Sequence, residues 1–282
     1  MKIFAFIVTY NRLSLLKKVL LSLKKQTQNI DKIVVVNNSS TDGTEEWLST
    51  QKDISVITQP NVGGAGGFKT GVEYCYNSGA DWIWMMDDDV FPEPNCLETL
   101  LQYSEKASCL QPSRHFADGP LMKWFGNYDI KRAKILEFDF DSEYTYITNC
   151  CFEGCLIKSS VVEKVGYPDA RFFIAGDDSS YGWRVSQYDK ILYIRDAKMY
   201  RAMRSTEKKS SNMYTYYTIR NRHLLREVYK DIKVPVFYFD YETVKQFVLN
   251  IFNTLIHRNW ELYRLYIKSY KDMLNKVINK SF

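Results

Sequence analysis

Trp82-Ile83-Trp84-Met85-Met86-Asp87-Asp88-Asp89 is the stretch that decides the fold and points to the chemistry. Its first five residues are continuously apolar, as expected of a strand covered on both faces in a parallel sheet. The three carboxylates that follow repel one another, so placing them at a strand end costs stability unless a cation neutralises them. A hard divalent cation shared with nucleotide phosphates is the economical reading. A solvated acidic turn is the plainer one. On an extended chain Asp87 and Asp89 point to one side and Asp88 to the other.

Toward the N-terminus the same pattern repeats. Residues 3–9, 32–37 and 54–58 read as strands, the second carrying the run Ile33-Val34-Val35-Val36. Between them, residues 13–25 place Leu15, Leu16, Val19, Leu20 and Leu23 at helical spacing, Ser40 or Thr41 caps a helix running to Leu48, and residues 68–77 form a third helix. Strand-helix alternation of this kind gives right-handed crossovers and a mostly parallel, Rossmann-like α/β sheet flanked by helices, with ligands at the carboxyl ends of its strands. Toward the C-terminus, residues 116–140 read as short antiparallel strands and loops, 146–158 as strand, 159–165 and 178–187 as helices, and 212 onward as helices. The expectation is a catalytic domain over residues 1–211 and a helical extension over 212–282 packed on it.

Composition bounds the function. The 282 residues are 45% hydrophobic and 25% charged, which excludes disorder. No apolar run approaches the ~18 residues of a spanning helix, and the start lacks the features of a signal peptide, so a cytosolic location is expected. The six cysteines form no CxxC pair and read as small buried hydrophobes. Charge is uneven: residues 1–200 carry 22 Lys/Arg and 26 Asp/Glu, net −4, whereas residues 201–282 carry 16 and 7, net +9.

Two further motifs carry chemistry. Asn61-Val62-Gly63-Gly64-Ala65-Gly66-Gly67-Phe68 lets backbone amides approach a ligand and opens a helix whose positive end suits an anion, although it has neither the dinucleotide nor the Walker spacing. Gly176-Asp177-Asp178-Ser179-Ser180-Tyr181-Gly182-Trp183-Arg184 follows the apolar Phe172-Phe173-Ile174. A carboxylate there serves either as a general base toward a hydroxyl or merely as a helix cap.

Taken with Ile7-Val8-Thr9-Tyr10-Asn11-Arg12 and Val36-Asn37-Asn38-Ser39-Ser40-Thr41-Asp42-Gly43-Thr44, these motifs resemble, in order and spacing over about residues 1–225, family-2 inverting glycosyltransferases of the GT-A fold. The glycine segment, residues 177–182 and Tyr216-Tyr217-Thr218-Ile219-Arg220-Asn221-Arg222 look most like bacterial galactofuranosyltransferases, and rhamnosyltransferases share a related pattern.

The resemblance implies a nucleotide-sugar donor. Thr9, Tyr10 and Arg12 would line the nucleotide pocket, with Asn37 and Asp42 near the base and Gly63, Gly64, Gly66 and Gly67 approaching the donor. Asp87 and Asp89 would ligate Mn²⁺ or Mg²⁺, Asp88 would sit near the donor ribose or sugar, and Asp178 would be the catalytic base. Trp183 and aromatics near Trp124 would either stack on sugars or pack in the core.

Two departures stand out. Asn37 takes a place where many members carry Asp, and Arg201 takes the place of a His metal ligand about nineteen residues before the Arg of the Arg220-Asn221 pair. Arginine cannot ligate a metal but pairs with phosphate, so the expectation is a cation with fewer protein ligands and a diphosphate held by Arg201 with Arg220. His115, His223 and His257 show no paired ligand spacing.

The basic tail interleaves cations with aromatics over residues 247–270, suiting either a peripheral, anionic membrane surface at the inner face of the plasma membrane or plain packing on the catalytic domain. Nucleic acid is disfavoured for want of any nucleic-acid motif. The expected reaction transfers a sugar, from UDP-galactofuranose or secondly dTDP-rhamnose, to a glycan or lipid-linked glycan acceptor of a bacterial surface polymer. A nucleotidyltransferase and a non-catalytic glycan-binding protein are the rivals, and oligomeric state is open.

Overall fold

A computed structural model describes residues 1–123, 127–207 and 211–278. The first half runs β1 (Ile3–Thr9), α1 (Leu13–Lys24), β2 (Lys32–Asn37), α2 (Thr44–Ser49), β3 (Ser55–Thr58), α3 (Gly63–Asn77), β4 (Trp82–Asp87). Next come β5 (Val90–Pro92), α4 (Cys96–Leu101), β6 (Cys109–His115), the hairpin β7 (Asn127–Asp129) and β8 (Lys134–Leu136), β9 (Tyr144–Ile147), β10 (Leu156–Lys158), α5 (Ser159–Val165), α6 (Asp177–Ser186) and β11 (Ile191–Arg201). Four helices close the chain: α7 (Asn212–Arg220), α8 (Arg222–Asp231), α9 (Phe237–Ile256) and α10 (Trp260–Leu274).

The main sheet has nine strands in the order β3-β2-β1-β4-β10-β6-β11-β5, with β9 also on β11. Strands β1, β2, β3, β4, β6 and β11 run one way and β5, β9 and β10 the other, which gives the mixed, mostly parallel sheet expected. Strand β4 shows why its apolar run is continuous. Trp82, Trp84 and Met86 meet α1 through Leu16, Val19, Leu20 and Leu23, while Ile83 and Met85 share the opposite face with Phe68, Val72 and Cys75 of α3. Each such side chain, fully buried, contributes roughly 1.5–3 kcal/mol.

Three local expectations are corrected. Helix α3 starts at Gly63 rather than Phe68, because the glycines are helical and packed: a Cβ on Gly67 would lie 2.4 Å from Val8 and one on Gly71 2.2 Å from Phe6. The strand expected over 146–158 is two strands, β9 and β10, separated by a non-strand segment. Strand β11 was not anticipated at all, since Arg195-Asp196 interrupts its apolar pattern where the pairing with β6 shifts register.

The helical region lies against this body. Arg220 Nη1 donates to the Val277 carbonyl at 2.8 Å, Tyr216 donates to Asp272, and Phe239 is buried with Trp183, Val228 and Tyr229. No helix among the described residues is long and apolar enough to cross a membrane.

Candidate active site

Carboxyl ends of β1 and β4 lie side by side, Val8 opposite Asp87, which brings Thr9 and Arg12 to the acidic triad. The chain leaves the strand at Asp87 and turns through Asp88 and Asp89, so the alternation expected of an extended segment does not extend past Asp87. Asp87 opens on a cavity of about 680 Å³. Its carboxyl is pushed well above the usual range by burial and by Glu153 and Asp89, with Arg201 opposing.

Asp88 is buried and is not among the residues that line the cavity. Oδ2 accepts from the Thr9 hydroxyl at 2.8 Å and Oδ1 from Arg12 Nη1 at 3.0 Å. Asp89 Oδ2 accepts from Arg12 and from both Nε and Nη2 of Arg201, at 3.3, 3.2 and 3.1 Å. Its other oxygen, Oδ1, is buried with no hydrogen-bond partner among the described residues. An orphaned carboxylate oxygen next to a second, half-buried carboxylate is a donor set for one hard cation, so Asp87 and Asp89 fit that role.

Arg201 reaches this position because β5 folds back antiparallel onto the end of β11, setting Arg201 opposite Val90. It is 5% exposed, and its Nη1 pairs with Glu153 Oε1 at 2.7 Å. Glu153 also takes Arg114 of β6. Glu153 and Arg114 belong to no motif read above. The available signal was slight: each is a single charge in an otherwise uncharged run, Cys150-Cys151-Phe152-Glu153-Gly154-Cys155 and Cys109-Leu110-Gln111-Pro112-Ser113-Arg114.

Asp178 stands in the first turn of α6, whose N-cap Gly176 takes φ +87°. It lines the same cavity as Arg12, Gly64, Asp87, Glu153 and Arg201. Its Oδ1 accepts from the Ser179 amide at 2.7 Å. Burial and Glu153 raise its carboxyl, and the Ser179 amide and Arg114 hold it down. Asp177 beside it is pushed up to about 7 by burial and by Asp178.

The loop leading to Asp178 is strained, with φ of +64° at Phe173 and +70° at Ala175. Asn221 Nδ2 secures it by donating to the carbonyls of Phe172, Ile174 and Ala175 at 3.0, 2.8 and 2.7 Å. Arg220 Nη2 adds a bond to the Phe172 carbonyl at 3.0 Å. Arg220 is thus fully buried behind the loop that leads to Asp178 and does not line the cavity, a correction to its expected phosphate contact.

The glycine segment is corrected likewise. Only Gly64 lines the cavity, and a Cβ there would meet nothing within 4 Å. Gly63, at φ +79°, lies so close to the Phe173 carbonyl that a Cβ would come within 2.0 Å of its oxygen, and Gly66 and Gly67 face Val62 and Val8. Asp42 is tied to the backbone around it. It accepts from the Leu13 amide at the start of α1 and from Thr44, which hold its carboxyl below the usual range despite slight burial. Tyr10 is exposed. Asn37 is fully buried, its Oδ1 accepting from the Ser40 amide at 3.0 Å and its Nδ2 without a hydrogen-bond partner among the described residues.

Trp183 is core, stacked on Tyr128 with centroids 5.0 Å apart. Trp124 lies outside the described residues. All six cysteines are buried thiols, and chain spacing conceals that Cys109, Cys150 and Cys155 bring their sulfurs within 4.8 Å of one another.

A Rossmann-like sheet with an acidic triad at one strand end and a carboxylate at a helix start across the same cavity defines a class. The family model described as glycosyl transferase family 2 matches residues 4–166, and the chain belongs to that family. Among curated proteins it is similar to galactofuranosyltransferase GlfT1 of Mycobacterium tuberculosis, 33% identical over 187 residues, and to that of Mycolicibacterium smegmatis, 31% identical over 189; each match covers 62% of both chains. Among solved structures, residues 1–349 of S. aureus TarS in complex with UDP superpose with a TM-score of 0.64 at 15% identity, covering 98% of this chain and 81% of that one. GalNAc-T7 with UDP, GalNAc and Mn²⁺ gives 0.62 at 13% identity, covering 88% and 57%. These superpositions establish the GT-A-type fold.

Proposed function

We propose that the chain is an inverting transferase that moves galactofuranose from a UDP-linked donor to a hydroxyl of a growing, lipid-linked bacterial surface glycan. The observation that carries this reading is one cavity lined by both Asp178 and the Asp87–Arg201–Arg12 group. The galactofuranosyltransferase relatives support the choice of donor, with dTDP-rhamnose second.

Asp178 takes the proton of the acceptor hydroxyl as that oxygen bonds to the anomeric carbon. The bond from that carbon to the diphosphate breaks, and its electron pair leaves with the nucleoside diphosphate. Burial raises the Asp178 carboxyl, and the Ser179 amide and the field of Arg114 oppose that rise, favouring the ionised state a base needs. Arg12 and Arg201, both of which line the cavity, stabilise the charge developing on the leaving group. A Mn²⁺ or Mg²⁺ ion held by Asp87 and Asp89 Oδ1 would add Lewis-acid neutralisation of that charge. Arg201 stands where relatives carry a histidine ligand and contributes charge without ligation.

The exposed apolar face of α9, with Phe237, Val244, Val248 and Phe252, is assigned to an anionic bilayer bearing the lipid-linked acceptor. Its charge complement is the net +9 of residues 201–282.

The test is a panel of nucleotide sugars scored for transfer and hydrolysis, with Asp178→Asn as the diagnostic variant. Loss of turnover by about 10²–10⁴-fold with donor affinity kept is expected for a general base. Unchanged turnover, or a protein that binds no nucleotide sugar, would refute it. A nucleotidyltransferase would release pyrophosphate, and a glycan-binding protein would lose nothing.

A further inference from the structure

Glu153 lines the cavity and links two arginines of its charge pattern. It is 4% exposed, and its oxygens are divided between two buried guanidiniums, Oε1 with Arg201 and Oε2 with Arg114. Arg201 in turn uses a different edge, Nε and Nη2, for Asp89. Charges therefore alternate in sign from Asp88 through Arg12, Asp89, Arg201 and Glu153 to Arg114.

A carboxylate in the wall of a cavity that accepts a diphosphate repels its ligand, unless its charge is spent on something else. Here both oxygens are spent. Without Glu153, the pull of the carboxylates of residues 87–89 on Arg201 would lose its counterweight, and the guanidinium would be drawn toward Asp87 and the open oxygen of Asp89, the cation's place. A buried carboxylate on the guanidinium's other edge opposes that pull.

Resting on the transferase reading above, we propose that Glu153 is a positioning residue: it holds the Arg201 guanidinium in the cavity wall so that one edge neutralises Asp89 while the group meets the donor diphosphate. Glu153 acts on the donor through Arg201. Arg114, anchored on β6, fixes Glu153 from behind and is the reason that a loop residue can serve as a rigid brace.

A double-mutant cycle read by calorimetric titration of UDP and of dTDP tests this in the full chain. Glu153→Gln weakens nucleotide binding about tenfold or more and raises the donor KM more than it lowers kcat, and Glu153→Asp, which keeps the charge, recovers most of the loss. Combined with Arg201→Lys, Glu153→Gln adds less than about twofold, since its effect passes through the residue already altered. Additive effects, or Glu153→Gln binding within twofold of wild type, overturn the assignment. Should Glu153→Gln not fold, the same cycle with Glu153→Met, which removes the charge without adding a polar group, decides, non-additivity again supporting the brace and additivity overturning it. If the unaltered chain binds neither nucleotide, the transferase reading falls and the brace with it. If it binds and the cycle is additive, the brace alone falls.

Discussion

Asp177 and Asp178 are neighbours in sequence whose surroundings set them apart. Burial raises both carboxyls; Asp177, beside a like charge, is pushed up to about 7, whereas at Asp178 an amide and an arginine oppose the rise. An unfolded Asp titrates near ~3.9, so between about pH 4 and pH 7 the folded chain binds more protons at Asp177 than the unfolded chain does. That contribution to stability is therefore full at acid pH and is lost as pH rises through about 7. Buried His223 works the other way, since burial lowers its affinity for a proton and its contribution falls as pH drops. The readout is accordingly a difference: denaturant melts at pH 5.5 and 8 should show Asp177→Asn retaining more of its stability at pH 8, relative to pH 5.5, than wild type. Equal slopes would count against the burial of an ionisable Asp177. At this scale Asp87, Asp178 and Arg201 are legible in the sequence because each sits in a spaced motif. Arg114 and Glu153 are not, because their meeting depends on β10, a three-residue strand just after Glu153, pairing with β6 although the two are distant in sequence.

Between elements, the contact that matters most is α3 against the loop before α6. Gly63 is left-handed and abuts the Phe173 carbonyl, while Ala65 donates its amide to that same oxygen at 3.1 Å. Gly63→Ala should therefore cost roughly 1–3 kcal/mol in strain and close contact and should move the loop that carries Asp178. Gly64→Ala, one residue on, meets open space in a helix and should instead gain about 0.5–1 kcal/mol of stability. Paired thermal melts check the opposite signs, and kcat should fall for Gly63→Ala in the fraction that remains folded. The glycine run announced itself in the sequence as a ligand loop, yet most of it serves packing. Glycine is selected equally by a ligand's approach and by a neighbouring backbone's approach, and composition cannot separate the two. The same holds for Arg220-Asn221, whose Nη and Nδ2 donors go to the carbonyls of Arg171, Phe172, Ile174, Ala175 and Val277.

Across the whole molecule, the uneven charge of the sequence resolves into two surfaces. The acidic N-terminal part contains the cation-type carboxylates, each matched or opposed by a named arginine. The basic C-terminal part contains α9, whose outward face is apolar, and exposed Arg258, Arg264, Lys271 and Lys276 around it. Removing the tail would be a poor probe, because α10 is tied to α7 through Asp272 and Tyr216. Val248→Glu with Phe252→Glu should abolish flotation with vesicles containing anionic lipid while leaving UDP affinity unchanged. Retained flotation would defeat the bilayer assignment, and self-association removed by the same pair would mark the face as a contact between copies. By itself the sequence determined the alternating sheet, the strand ends where chemistry gathers, and the carboxylates that lead it, because apolar periodicity and motif spacing are local properties. Only the tertiary structure decided which carboxylate opens on the cavity, which glycine faces it, and that Glu153 braces Arg201. Those outcomes depend on strands that are distant in sequence and adjacent in the sheet, and on buried polar atoms being consumed by whichever partner packing brings within reach.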